Sequence, residues 1–132
     1  VPNKIAESLD EKPYQTILDI AQSLTHIERF ADGRAAGIFL DYEMASKMET
    51  TEGFIDYVRI IQGVEIACLM KMKSETFARV SMRSKGVDVA AIASKFGGGG
   101  HTCAAGCSIE KRFDEAKKEI AAEITKSLEA RA

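Results

Sequence analysis

Apolar positions recur every three or four residues in some stretches of this chain and every second residue in others, and the two spacings mark out the elements. Ile5, Ala6 and Leu9 predict a short helix over 3–11. Pro13 suits the first turn of a second helix. Its apolar side is Tyr14, Ile17, Leu18, Ala21 and Leu24, and it is expected to reach about Phe30, ahead of the Asp32-Gly33 turn signal. Arg34 to Leu40 reads as a strand. Asp41 can cap a helix from Tyr42 to about Met48. Thr50 or Thr51 can cap another, with Phe54, Tyr57, Val58 and Ile61 on one side and Gln62-Gly63 as its end.

From there the period is two. Val64, Ile66, Cys68 and Met70 share one face of a strand over Val64–Lys73, and Lys73-Ser74-Glu75-Thr76 joins it as a hairpin to a strand over Phe77–Ser84. In that second strand Ala78, Val80 and Met82 face one way and Arg79, Ser81 and Arg83 the other. Asp88 caps a helix over 89–96 carrying Val89, Ile92, Ala93 and Phe96, and Ala104–Ile109 is a further strand. Phe113, Ala116, Ile120, Ile124 and Leu128 predict a closing amphipathic helix of about 18 residues. Helices and strands alternate early, while the hairpin demands antiparallel pairing. The fold class expected is α/β (α+β), a mixed four- to five-stranded sheet with helices packed on it.

With 132 residues, 45% apolar and 29% charged, the chain matches one ordinary globular domain, alone or with a helical segment attached. No apolar run approaches the roughly 18 residues that span a bilayer, so no membrane partner is expected. The first residue is Val1 and not Met, as expected of a piece of something longer. Cys68, Cys103 and Cys107 are an odd number in a chain large enough to bury a core, so they read as thiols in a reducing cytoplasm. The net charge of −2 argues against a strongly basic nucleic-acid binder, yet it conceals a gradient. Residues 1–78 hold 8 basic and 13 acidic side chains, whereas 79–109 hold Arg79, Arg83, Lys85 and Lys95 against Asp88 alone. Local positive charge of this kind points to an anionic ligand.

The basic segment contains the run Lys95-Phe96-Gly97-Gly98-Gly99-Gly100-His101. Four successive glycines give up backbone entropy and supply nothing to a core. Gly97 can close the preceding helix in the left-handed conformation, which explains one of the four. The surplus predicts a bare loop whose main-chain N–H groups face an anion, with His101 as a further donor. It is neither a P-loop nor a dinucleotide fingerprint, because it follows a helix instead of opening one and has no Gly-Lys-Ser/Thr. Arg83 adds a forked donor suited to phosphate, Ser84 a hydroxyl, and Arg79 shares the Arg83 face by strand alternation.

Ser81-Met82-Arg83-Ser84-Lys85, then Asp88-Val89, Ile92-Ala93, Phe96-Gly97-Gly98-Gly99-Gly100-His101 and Ala104-Ala105-Gly106, resembles the signature of the DHH-associated domain of DHH-family phosphoesterases. The likeness is most specific over about 51–110 and runs toward the oligoribonuclease and 3′-phosphoadenosine 5′-phosphate phosphatase branch. It implies a C-terminal substrate-binding domain over 34–132, with 1–33 as a helical connector or the tail of a catalytic domain lying outside this chain. It further implies that Arg83, Ser84, Gly97, Gly98, Gly99, Gly100 and His101 grip the phosphate and base of a nucleotide or short single-stranded RNA or DNA. Two manganese ions are expected in the Asp-His-rich catalytic domain and no cofactor here, so this chain alone is expected to hydrolyse nothing. The parent's DHH domain is the expected protein partner, and a homodimer is left open.

The chain itself has two histidines and no Asp-His-His. Thr102-Cys103 stands where some relatives carry a basic residue. Two other readings stay open. The domain could be a stand-alone regulatory module for a nucleotide or cyclic dinucleotide. It could also be a metal or redox module on His101, Cys103 and Cys107, which share parity on a strand but match no common zinc spacing.

Overall fold

β3 (Ile66–Ser74) and β4 (Phe77–Ser84) form the centre of a six-stranded mixed sheet, joined by the two-residue turn Glu75-Thr76. The computed structural model describes residues 11–131, so the helix expected over 3–11 lies, but for Glu11, outside the described residues. In chain order the elements are α1 (Tyr14–Leu24), β1 (Ile27–Phe30), β2 (Ala35–Leu40), α2 (Tyr42–Ala45), α3 (Phe54–Arg59), β3, β4, α4 (Val89–Ser94), β5 (Gly99–His101), β6 (Ala104–Ile109) and α5 (Phe113–Glu129). The strands lie in the order β1-β2-β3-β4-β6-β5. β2 and β3 run parallel across the crossover that holds α2 and α3, and every other neighbouring pair is antiparallel.

Alternation along each strand builds two cores. On one face Ile66, Cys68, Met70, Ala78, Val80, Met82, Ala105 and Cys107 are buried under α4 and α5, the latter through Ala116, Ile120, Ile124 and Leu128. On the other, Ala36, Ile38, Leu40, Ala67 and Leu69 are buried under α1 and α3 through Ile20, Phe54, Ile55 and Val58. Past β3 the second cover thins to the reach of α3 over β4. The same side of β4 and β6 carries Arg79, Ser81, Arg83, Ala104, Gly106 and Ser108, none of them fully buried. This sparsely covered half is the open face of the sheet.

One polar tie joins distant parts of the chain. Arg34, just before β2, donates from Nε to Glu65 Oε2 at 2.6 Å and from Nη1 to the Leu128 carbonyl at 3.1 Å. The pairing with Arg34 holds the Glu65 carboxyl below the usual carboxylate range.

Several expected boundaries shift. α1 stops at Leu24 instead of Phe30, because the backbone N–H groups of Thr25 and His26 and the Thr25 hydroxyl turn back onto Gln22 and Ser23 carbonyls. Ile27–Phe30 then pairs with β2, where an unpartnered strand would otherwise leave its edge open. The segment assigned to a connector is therefore, from Tyr14 to Phe30, built onto this sheet. α1 also turns the opposite way from its pattern. Thr16, Asp19, Ile20 and Ser23 are buried, whereas Tyr14 is 77% and Ile17 48% exposed. Small polar side chains permit this approach and are satisfied locally, since Asp19 accepts from the Gln15 amide at 3.0 Å and Ser23 donates to the Met48 sulfur at 3.8 Å.

The expected caps at Asp41 and Asp88 form, each accepting a backbone N–H three residues on, at 2.9 and 3.1 Å. Thr50 and Thr51 cap nothing. α3 starts after Gly53, which sits at φ +85°, and ends at Arg59. The sheet has six strands where four or five were expected, because short edge strands β1 and β5 carry no alternation that a sequence pattern could register.

Leu128 is fully buried and closes α5 over the first core. Leu128→Ala should cost about 2–5 kcal/mol, read as a lower urea midpoint with an unchanged denaturant slope.

Candidate functional site

The hairpin register assembles the open face in rows, because residues directly opposite on antiparallel strands project to the same side. Arg83 pairs with Ala104, and Ala104 pairs with His101. Ser81 pairs with Gly106, and Gly106 with Gly99. Arg79 pairs with Ser108 on one side and Lys71 on the other. Arg83 and His101 thus stand two strands apart, about 10 Å at the backbone, with only the methyl of Ala104 between them. The middle row is floored by Ser81, Gly106 and Gly99. A cleft of about 350 Å³ opens on this face, lined by Lys71, Arg79, Ser81 and Arg83, by Leu69 and Ile55, and by residues Glu49 to Gly53.

The glycine run has a different job at each position. Gly97 sits at φ +79°, its N–H donates to the Ser94 carbonyl, and the N–H of Gly98 reaches back to the Ala93 carbonyl. Together these close α4 as a Schellman motif, as expected for Gly97. They also spend both N–H groups, so neither faces a guest as the loop reading anticipated. A Cβ on Gly98 would run into the Gly106 carbonyl oxygen and stand 2.8 Å from Cys107 Cα. A Cβ on Gly100, at φ +147°, would stand 2.6 Å from the Ala104 carbonyl oxygen. These two glycines let β5 lie against β6. Gly99 alone has no positive φ and would place a Cβ in open space. The first half of the run is thus the turn that closes α4, and Gly99 and Gly100 open edge strand β5.

The turn Thr102-Cys103 that follows is fixed from below. The N–H of Ser84 donates to the Cys103 carbonyl at 3.0 Å and that of Val89 to the Thr102 carbonyl at 2.8 Å. His101 is exposed at the end of a strand pinned on both sides.

Of the residues nominated from sequence, Arg79, Arg83, Gly99 and His101 share the open face. Ser84 does not. It is buried on the opposite side, where its hydroxyl donates to the Val87 carbonyl and braces the turn into α4. Lys71, Ser81 and Thr51 were missed. The signal for Lys71 was present in the strand itself, where Leu69 and Lys71 occupy the positions opposite Cys68 and Met70. Its ammonium donates to the buried Thr51 hydroxyl at 2.9 Å.

The electrostatics suit an anion. Among the described residues Lys71, Arg79 and Arg83 make no ion pair. Burial, and then the charges of Lys73 and Arg79, pull the Lys71 ammonium below the usual lysine range. Arg83 Nη1 donates to the neighbouring Met82 carbonyl at 3.0 Å, which leaves the rest of its fork unengaged among the described residues.

The metal or redox module on His101, Cys103 and Cys107 does not assemble. Cys107 projects to the core side, into the same buried cluster as Cys68, while the register puts His101 on the open face and Cys103 lies exposed in the turn. Burial pushes the Cys68 thiol up to about 12, with Cys107 and Glu28 adding to it, and pushes Cys107 up to about 11 against the pull of Arg79. Among the described residues no three His, Cys, Asp or Glu side chains gather where they could hold a metal ion.

Comparison with known proteins gives the chain its relatives. The family model of the DHHA1 domain matches residues 37–129. The bifunctional oligoribonuclease and PAP phosphatase NrnA of Thermus thermophilus is 30% identical over 91 residues, covering 64% of this chain and 28% of that protein. An exopolyphosphatase-related protein of Bacteroides fragilis superposes with a TM-score of 0.78 at 23% identity, over 92% of this chain and 36% of that one. The pGpG-specific phosphodiesterase PggH of Vibrio cholerae superposes with a TM-score of 0.61 at 18% identity, over 85% and 38%. The chain thus spans about a third of the length of these relatives.

Two measurements probe the site's construction. Gly99→Ala should leave stability within about 1 kcal/mol of the parent, whereas Gly98→Ala should lower it by about 1–3 kcal/mol through overpacking against β6, both read from urea melts. Ellman's reagent should titrate one thiol, Cys103, in the native protein and all three in denaturant.

Proposed function

The chain belongs to the DHHA1 domain family, and on that footing we propose that it is the substrate-gripping domain of a DHH-type phosphoesterase acting on nucleotides or short single-stranded nucleic acid. The observation that carries this reading is the row Arg83–Ala104–His101 beside the bare Gly99 backbone, on the sparsely covered face of the sheet. A guanidinium fork and an imidazole carried on backbones about 10 Å apart suit a phosphate approached from two sides. Ala104, Gly106 and Gly99 keep the floor low enough for a sugar or base to lie on the main chain. The phosphate esters named in the relatives' own descriptions (oligoribonucleotide, PAP, pGpG) share this chemistry.

In this reading the chain binds and orients, and the bond is cut elsewhere. Arg83 and His101 would hold the phosphate end, with Arg79 further along the same strand, while the ester is presented to a catalytic domain outside these residues. Manganese in that domain would supply the Lewis acid and activated water of two-metal phosphoryl chemistry. The residues described here do not fit that role, since they bring no metal-ligand group together.

Titrating adenosine 5′-monophosphate into the isotope-labelled chain should move the amide resonances of Gly99, Gly100 and His101. Arg83→Ala should weaken the interaction at least about tenfold, as expected for a charge-assisted phosphate contact, with the remaining spectrum unchanged. Unmoved resonances at millimolar nucleotide would refute binding by this domain.

A further inference from the structure

The position of His101 rests on backbone alone. β5 holds two glycines and the histidine, all three exposed, so it puts no side chain into either core. Its register with β6 is therefore fixed by main-chain bonds and by the turn Thr102-Cys103 that joins the two strands. Both carbonyls of that turn are engaged from outside the hairpin, Cys103 by the N–H of Ser84 at 3.0 Å and Thr102 by the N–H of Val89 at 2.8 Å. The two donors flank one connection, residues 84–89, which leads from β4 into α4.

That connection has little of its own to hold its shape. Lys85 and Gly86 are exposed, and Gly86 sits at φ +118° with open space where a Cβ would be. From outside, the Glu65 carbonyl accepts the Lys85 N–H at 3.0 Å, and Arg131 Nη1 donates to the Gly86 carbonyl at 3.3 Å. Among the described residues, the one bond closed within 84–87 by a side chain runs from the Ser84 hydroxyl to the Val87 carbonyl. Ser84 and Val87 are both buried. Without the hydroxyl that carbonyl is left dry and unpaired. The easiest relief is for the turn to open at Gly86, which draws the Ser84 and Val89 N–H groups away from the two carbonyls they hold.

We infer that Ser84 is a positioning residue for the His101 imidazole. It touches no ligand; its hydroxyl fixes the turn into α4, and through the Thr102-Cys103 turn keeps His101 level with Arg83. This rests on the reading that Arg83 and His101 hold phosphate, and it replaces the direct grip that the family resemblance implies for Ser84. The residue that follows Arg83 along β4 thus links the two ends of the row from the buried side of the sheet.

Two measurements on the 132-residue chain test it. In the ligand-free protein, Ser84→Ala should quicken amide hydrogen exchange at residue 84 and Val89 at least about tenfold more than along the β3–β4 ladder. A uniform rise, or none at these two amides, would overturn the inference, since the hydroxyl would then serve overall stability or nothing. By calorimetry, affinity for adenosine 5′-monophosphate should fall about tenfold in Ser84→Ala and about tenfold in His101→Ala, and no further in the double variant, because both changes remove the same contact. Ser84→Thr keeps the hydroxyl and should recover most of the affinity. Losses that multiply to about a hundredfold in the double variant would mean that Ser84 acts independently of His101, and the inference would fall. Ser84→Cys, a weak donor of similar size, replaces Ser84→Ala if that variant does not fold. A parent that binds no nucleotide, or a His101→Ala of undiminished affinity, refutes the underlying reading of the site instead, and the exchange measurement still decides whether Ser84 holds the turn.

Discussion

Lying β5 flat on β6 requires a main chain without side chains on its inner side. A Cβ at Gly98 would meet the Gly106 carbonyl, and one at Gly100 the Ala104 carbonyl. Because both are glycine, the edge strand comes close enough for its register to place His101 level with Arg83, two strands away. The bonds from Ser84 and Val89 to the Cys103 and Thr102 carbonyls fix the far end of that strand. The imidazole is thus carried on backbone held from both ends, and its position follows from the packing of β5 against β6.

The second determinant is where the covering helices stop. α4 and α5 seal one face along β3, β4 and β6, whereas the core under α1 and α3 ends with residues of β3, and α3 itself reaches β4. Alternation along β4 then puts three apolar residues under cover and Arg79, Ser81 and Arg83 in the open. An acidic chain overall can therefore present a cationic surface, because net charge says little about which side chains share a face. Gly53, with its left-handed φ, starts α3 late. The segment before it is left irregular, and Thr51 meets Lys71 of β3 there.

Much of this was legible in the chain. The period-two runs located β3, β4 and β6, and the split of Ala78, Val80 and Met82 from Arg79, Ser81 and Arg83 predicted which way each would face. Asp41 and Asp88 announced the helices they cap. What failed depended on tertiary partners. Tyr14, Ile17 and Leu18 look like a buried stripe, but which side of a helix docks depends on the surface it meets, and here that surface accepts Thr16, Ile20 and Ser23. Ser84 belonged to the resemblance, yet strand parity already placed it with Met82 on the core side. The glycines were read as one feature, whereas close approach at Gly98 and Gly100 can be seen only once β6 is placed beside them. Lys71 was not singled out, because only the register shows that it faces Arg79.

The tie from Arg34 to the Leu128 carbonyl bears on the order in which the domain comes together. It joins groups 94 residues apart, while the β3–β4 hairpin turns over two. Non-local contacts of this kind slow folding, since their chain-closure cost falls due before they contribute any stability. The central hairpin can form early from local pairing, but Ala35 and Phe39 of β2 share a core with α5 and stay uncovered until that helix arrives. During synthesis, then, an early strand waits for one of the last helices. A ribosome pausing within α5 would hold the chain at the stage where the apolar face of its parallel strand pair is most exposed to a neighbouring chain.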